Sequence, residues 1–209
     1  MTSADSKLFF EEKLNTYSHG LGILLSVIGA YIILNKVNSY LWTSVFMYSV
    51  SLILLFTAST LYHATFNTLR KKKLRILDHI SIYYLIAGTY TPVCLSLLKD
   101  SKGLFLLWLI WGIAGFGTLL KLLFTGKFAI FSLALYGIMG WLVIIDIKYL
   151  FANATNTQLI YLSLGGFFYT LGILFYANEK IPHNHFIWHL LVLGGAISHW
   201  LFIYKIVVI

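Results

Sequence analysis

The chain is poor in the residues that build most soluble folds. Of 209 residues, one is cysteine, two are proline, and 11% are charged. A lone Cys94 excludes a disulfide scaffold and leaves the redox compartment undetermined. Two prolines exclude a Pro-rich linker protein. Ordinary soluble domains carry about 25% charged residues, so this chain has less than half the charge needed to coat a water-soluble globule. What is abundant is apolar. Hydrophobic residues make up 59% of the chain, and the mean hydropathy is +0.84. A soluble enzyme, a disordered chain and a collagen-like fibre are excluded, and a polytopic membrane protein remains.

Seven apolar runs approach the roughly 20 residues that a helix needs to cross a bilayer: 17–35, 41–65, 76–98, 104–124, 128–150, 158–177 and 185–208. The breaks between them are short and polar, among them Asn67 to Arg75 and Thr125-Gly126-Lys127. None of the runs alternates in the ~10-residue segments of a membrane β-barrel. The expected fold is an all-α bundle of seven transmembrane helices (17–209) behind an N-terminal tail (1–16).

The net charge of +8 reads as topology. No nucleic-acid-binding motif accompanies it, and the basic residues cluster in loops. With the N-terminus inside, the inner segments hold ten basic residues: Lys7, Lys13, Arg70, Lys71, Lys72, Lys73, Arg75, Lys121, Lys127 and Lys180. The outer segments hold five: Lys36, Lys99, Lys102, Lys148 and Lys205. The positive-inside bias therefore predicts a cytoplasmic N-terminus and an external C-terminus. The stretch from Met1 to Lys13 has no basic region ahead of an apolar one, so it reads as a retained tail.

Ionisable residues inside apolar spans are costly and serve by default as functional candidates. Ser59 and His63 lie four apart near the inner end of the second run and share a face. Asp78 and His79 open the third run. His185 and His189 lie four apart at the start of the seventh. The expected orientation brings His63, Asp78, His185 and His189 to one cytoplasmic-side layer. Imidazole suits zinc, copper, iron and nickel, and three His with an open position is the pattern of catalytic zinc. A bis-His haem between His63 and His189 is the competing cofactor, and it leaves His185 and Asp78 unexplained. His199 lies about 15 Å beyond His189 at 1.5 Å per residue, too far to share an ion, and is expected to hydrogen-bond a neighbouring helix. His19 is expected to hydrogen-bond in the core or to support the site. The remaining features read as structural. Gly22, Ser26 and Ala30 form a small-residue stripe for close packing. Asp146 and Lys148 read as interfacial, Pro92 as a kink, and the sequon Asn153-Ala154-Thr155 as unused.

Several segments resemble the haemolysin III proteins, bacterial members of the progestin and adipoQ receptor superfamily. They are the run from Asp78 to Pro92 (DHISIYYLIAGTYTP), Ser59-x-x-x-His63, His185-x-x-x-His189, and the opening Glu12-x-x-Asn15-x-x-x-His19-x-x-Gly22. The resemblance covers nearly the whole chain. It implies zinc held by His63, His185 and His189, with Asp78 and Ser59 beside a water at the metal. It also implies a hydrolase of lipid amide or ester bonds, ceramidase-like, in the bacterial plasma membrane, with membrane lipids as its partners. Two other classes stand beside it: a zinc-containing sensor of membrane state without turnover, and a channel-like cytolysin.

Overall fold

A computed structural model of the chain describes residues 3–124, 128–178 and 180–208. Among these residues there is no strand. The helices are α1 (Ser3–Leu34), α2 (Ser39–Ala64), α3 (Thr68–Leu95), α4 (Gly103–Leu123), α5 (Ala129–Trp141), α6 (Ile147–Asn153), α7 (Asn156–Ala177) and α8 (Asn184–Val207). A 3-10 turn over Leu142–Asp146 joins α5 to α6. Short connections make sequential helices antiparallel neighbours: α1 packs on α2, α2 on α3, α3 on α4, and α7 on α8. Contacts between α1 and α8 close the bundle, and α5 sits between α3, α4 and α7.

Among the described residues, six segments are long and apolar enough to cross a membrane: Phe9–Leu34, Ser39–Ala64, Gly103–Leu123, Ile130–Asn153, Asn156–Ala177 and Asn184–Val207. Large apolar side chains such as Trp108, Leu123 and Ile130 point out of the bundle. In water such a surface would aggregate; in a bilayer it is the lipid-facing wall. The protein is an all-helical integral membrane protein. Helix α3 is long enough but is not among the six, because Arg70 to Arg75, Asp78 and a run of Ser, Thr and Tyr dilute its apolar residues.

Helix α1 begins at Ser3 and carries Glu12 in the same helix as His19. The basic run is not a loop. Asn67 caps α3 by accepting from the Arg70 amide at 3.1 Å, so Arg70 to Arg75 are helical, and Asp78 and His79 lie about three turns into α3 rather than in its first turn. The Thr125-Gly126-Lys127 turn lies outside the described residues. The sequon has a structural use: Thr155 accepts from the Gln158 amide while Gln158 accepts from the Thr155 amide, a reciprocal cap on α7.

The small-residue stripe packs as expected. A Cβ at Gly22 would collide with the Phe56 ring, so glycine lets α1 and α2 approach closely. Ser26 and Ala30 are buried beyond it.

Asp146 departs from expectation. It is 6% exposed, not interfacial. Its carboxylate accepts from Ser101 Oγ and from the Lys102 amide, both at 2.9 Å, while Lys102 Nζ donates to the Ile145 carbonyl at 3.0 Å. The 3-10 turn swings the carboxylate inward onto the start of α4, where an anion also meets the positive helix end. Tyr90 holds the same turn from α3, donating to the Gly140 carbonyl at 3.2 Å and accepting from the Val143 amide at 2.9 Å. Asp146→Ala is expected to cost about 2–3 kcal/mol, the scale of lost hydrogen bonds to a buried charge. Thermal unfolding in detergent reads this, and a change below ~0.5 kcal/mol would show the contact to be dispensable.

Candidate metal centre

Where α2 ends and α3 and α8 begin, histidines from two helices meet. Residue spacing of four puts His185 and His189 on one face of α8 and Ser59 and His63 on one face of α2. One ring nitrogen from each of His63, His185 and His189 lies within 4.8 Å of the others. The ring centroids are 5.1 Å apart for His63 and His185, 4.7 Å for His63 and His189, and 4.9 Å for His185 and His189. His63 and His189 are 3% and 2% exposed.

Two features of this cluster fit a metal ion. First, Nε2 of His63 and Nδ1 of His189 are buried without a hydrogen-bond partner. Native interiors avoid such groups because each costs about 1–3 kcal/mol, and a bound cation removes that cost at any nitrogen it reaches. Second, His63 Nδ1 lies 2.8 Å from Glu12 Oε2. A proton held there on Nδ1 fixes the tautomer and leaves Nε2 with a free lone pair, the usual arrangement behind a metal-ligating imidazole. Lys71 holds the other oxygen of Glu12 at 2.9 Å. The donor set is all-imidazole, which suits zinc and other borderline metals. A haem axis between His63 and His189 has no room, since those rings are 4.7 Å apart and edge-on.

Asp78 joins the layer from α3, where the Ser59 side chain acts on its carboxylate. Both line the same cavity as His185 and His189. His79 lines that cavity as well, and its backbone carbonyl accepts from Tyr136 of α5 at 2.8 Å. His19 stacks on His189 with centroids 3.7 Å apart and planes 23° apart, so it supports the cluster by packing. His199 stays apart from it. It packs against Tyr169 of α7, with ring centroids 5.3 Å apart. His183, in a left-handed conformation with φ 56° ahead of α8, faces Glu11 at 3.9 Å.

Glu12 is the residue whose role the sequence did not expose. It belongs to the opening motif, but a tail over residues 1–16 gives it no role. The signal was its spacing: Glu12 and His19 are seven apart, two turns of one helix face, and that face meets His63 and His189.

The cavity holds about 410 Å³, within the range of small-molecule sites. Polar groups gather at the histidine end. Leu55, Ile82, Leu85, Ile86, Ile173 and Val192 form walls, and the far end reaches Tyr90, Tyr169 and His199.

A family model described as haemolysin-III related matches residues 8–200. The chain belongs to the haemolysin III family. Its relatives include the hemolysin-3 homolog of Bacillus subtilis (strain 168), 40% identical over 190 residues and 89% of each chain. Hemolysin-3 of Bacillus cereus is 41% identical over 190 residues, covering 89% of this chain and 87% of its own. Human monocyte to macrophage differentiation factor is 28% identical over 207 residues, covering 94% of this chain and 84% of its own. These relatives are consistent with the progestin and adipoQ receptor superfamily.

Proposed function

We propose that this haemolysin III protein is a zinc-dependent hydrolase of lipid amide or ester bonds in the bacterial plasma membrane. The observation that carries the proposal is the juxtaposition of a three-histidine cluster and the Asp78–Ser59 pair with one largely apolar cavity. In this reading the chain crosses the bilayer seven times, with α5, the 3-10 turn and α6 forming one crossing and α3 another. The N-terminus, with residues 1–16, is cytoplasmic and the C-terminus external, so the metal centre lies near the cytoplasmic face.

His63, His185 and His189 hold the ion, and Glu12 keeps His63 turned toward it. A bound zinc supplies Lewis acidity, polarising a carbonyl and acidifying water near neutral pH. Asp78 orients the attacking water and accepts its proton. The Ser59 hydroxyl, donating to Asp78, fixes the carboxylate. When an oxyanion develops, the same single O–H turns from Asp78 to donate to it. Leu55, Ile82, Leu85 and Val192 hold an acyl chain and keep bulk water out.

The deciding experiment measures the metal content of the full chain purified in detergent without chelator, wild type beside His189→Ala. The expected result is about one zinc per chain, lost in the variant. A folded wild type without zinc would overturn the metal reading. Zinc at full occupancy with no turnover on any lipid amide or ester would favour the membrane-state sensor.

A further inference from the structure

The end of the cavity away from the histidine cluster carries two polar rings that the proposed chemistry does not use. Gly165 and Tyr169 lie four apart on one face of α7, and Gly195 and His199 lie four apart on one face of α8. The two pairs interlock. A Cβ at Gly165 would collide with the His199 ring, and a Cβ at Gly195 would collide with the Tyr169 ring. Each helix therefore seats the other's ring over a glycine, with the ring centroids 5.3 Å apart. A glycine inside a helix costs about 0.5–1 kcal/mol relative to alanine. Two alanines facing two smaller apolar residues would fill the same space without that cost.

Both rings line the cavity, and both are short of hydrogen bonds. His199 Nε2 is buried without a partner, and the Tyr169 hydroxyl makes no hydrogen bond with a described residue. Tyr90, at the same end, differs: its hydroxyl donates to the Gly140 carbonyl and accepts from the Val143 amide. Buried Tyr and His side chains ordinarily find partners. Inside a bilayer the shortfall is sharper, because hydrocarbon offers no hydrogen bonds. The adjoining side chains of Leu85, Ile86 and Val192 offer none either. A phenol both donates and accepts, and a neutral imidazole carries one donor and one acceptor nitrogen. A hydroxyl, which also does both, matches this pair. An ionised group would meet no opposite charge from Tyr90, Tyr169 or His199.

We propose that Tyr169 and His199 form a hydroxyl-binding subsite at the far end of the cavity, selecting lipids whose acyl chain carries a hydroxyl remote from the reacting carbonyl. The inference rests on the cavity being a lipid site. It adds the substrate class, a hydroxylated acyl chain. His189 and His199 are ten residues apart on α8, about 15 Å along the helix. The chain's hydroxyl therefore lies about that far from the metal centre, with the methylenes between them against Leu85, Ile86 and Val192.

The test is calorimetric titration of the full chain in a nonionic detergent with two isomeric dodecanediols and n-dodecanol. One diol carries hydroxyls at both chain ends; the other carries one at an end and one at mid-chain. Wild type is expected to bind the end-to-end diol about fivefold more tightly than its isomer, the scale of one net hydrogen bond. Tyr169→Phe, which removes a single oxygen, and His199→Leu are each expected to abolish that preference. Both variants are expected to bind n-dodecanol as wild type does, which reports an intact cavity. If His199→Leu fails to fold, Tyr169→Phe carries the test alone. Equal binding of the two isomers by wild type would overturn the subsite and leave the lipid site standing. A preference that survives either substitution would overturn the pairing of these two rings. Failure of wild type to bind any of the three alcohols would overturn the lipid-site reading itself. None of these readouts depends on zinc or turnover.

Discussion

Asp78→Asn is expected to lower hydrolysis of a lipid amide or ester by at least ~100-fold, the smaller end of what a positioned general base contributes. The substitution keeps shape and still accepts from Ser59, but an amide cannot take a proton from water. The zinc content is expected to remain about one per chain, because the three-nitrogen set excludes Asp78. That split separates chemistry from binding. Turnover retained in Asp78→Asn would remove Asp78 from the proton-transfer role. Zinc lost with it would make Asp78 part of the metal-binding set.

Removing the Glu12 carboxylate is expected to weaken zinc binding without unfolding the protein. Partners that hold the second nitrogen of a ligating imidazole typically contribute 10–100-fold to metal affinity. Glu12→Ala is expected in that range. Glu12→Gln, which still accepts from Nδ1 but lacks the charge that Lys71 neutralises, is expected at about tenfold, the low end. Competition against a chromophoric chelator reads the affinity, and unfolding temperature in excess zinc reads the fold. If both variants bind zinc like wild type, the 2.8 Å contact between Glu12 and His63 is packing and nothing more.

How much was legible in the sequence follows from which contacts are local. The pair His185 and His189, and its convergence with His63, could be read because i,i+4 spacing fixes a face and apolar run length fixes depth. Membership in the family was equally legible, since its motifs are contiguous stretches. Glu12 is present in a motif, yet its partnership with His63 depends on α1 continuing unbroken from Ser3, and the acidic and basic residues mixed through 1–16 obscure that continuity. The basic run reads as a loop in the sequence because its charge hides the helix start that the Asn67 cap marks. Asp146 was misplaced for a different reason. A carboxylate two residues from Lys148 resembles any interfacial pair, and only the arrival of Ser101 and Lys102 from another part of the chain makes it a core group.

The turn at Leu142–Asp146 ties one wall of the cavity to distant parts of the chain. Its sequence, Leu-Val-Ile-Ile-Asp, contains neither glycine nor proline, the residues that break helices from within. The groups that hold it come from elsewhere: the Tyr90 hydroxyl on α3, and the Ser101 and Lys102 donors ahead of α4. The same segment, Ile130–Asn153, lines the cavity with Ser132, Leu133, Tyr136 and Gly140. The shape of that wall is therefore borrowed from α3 and from the residues that open α4.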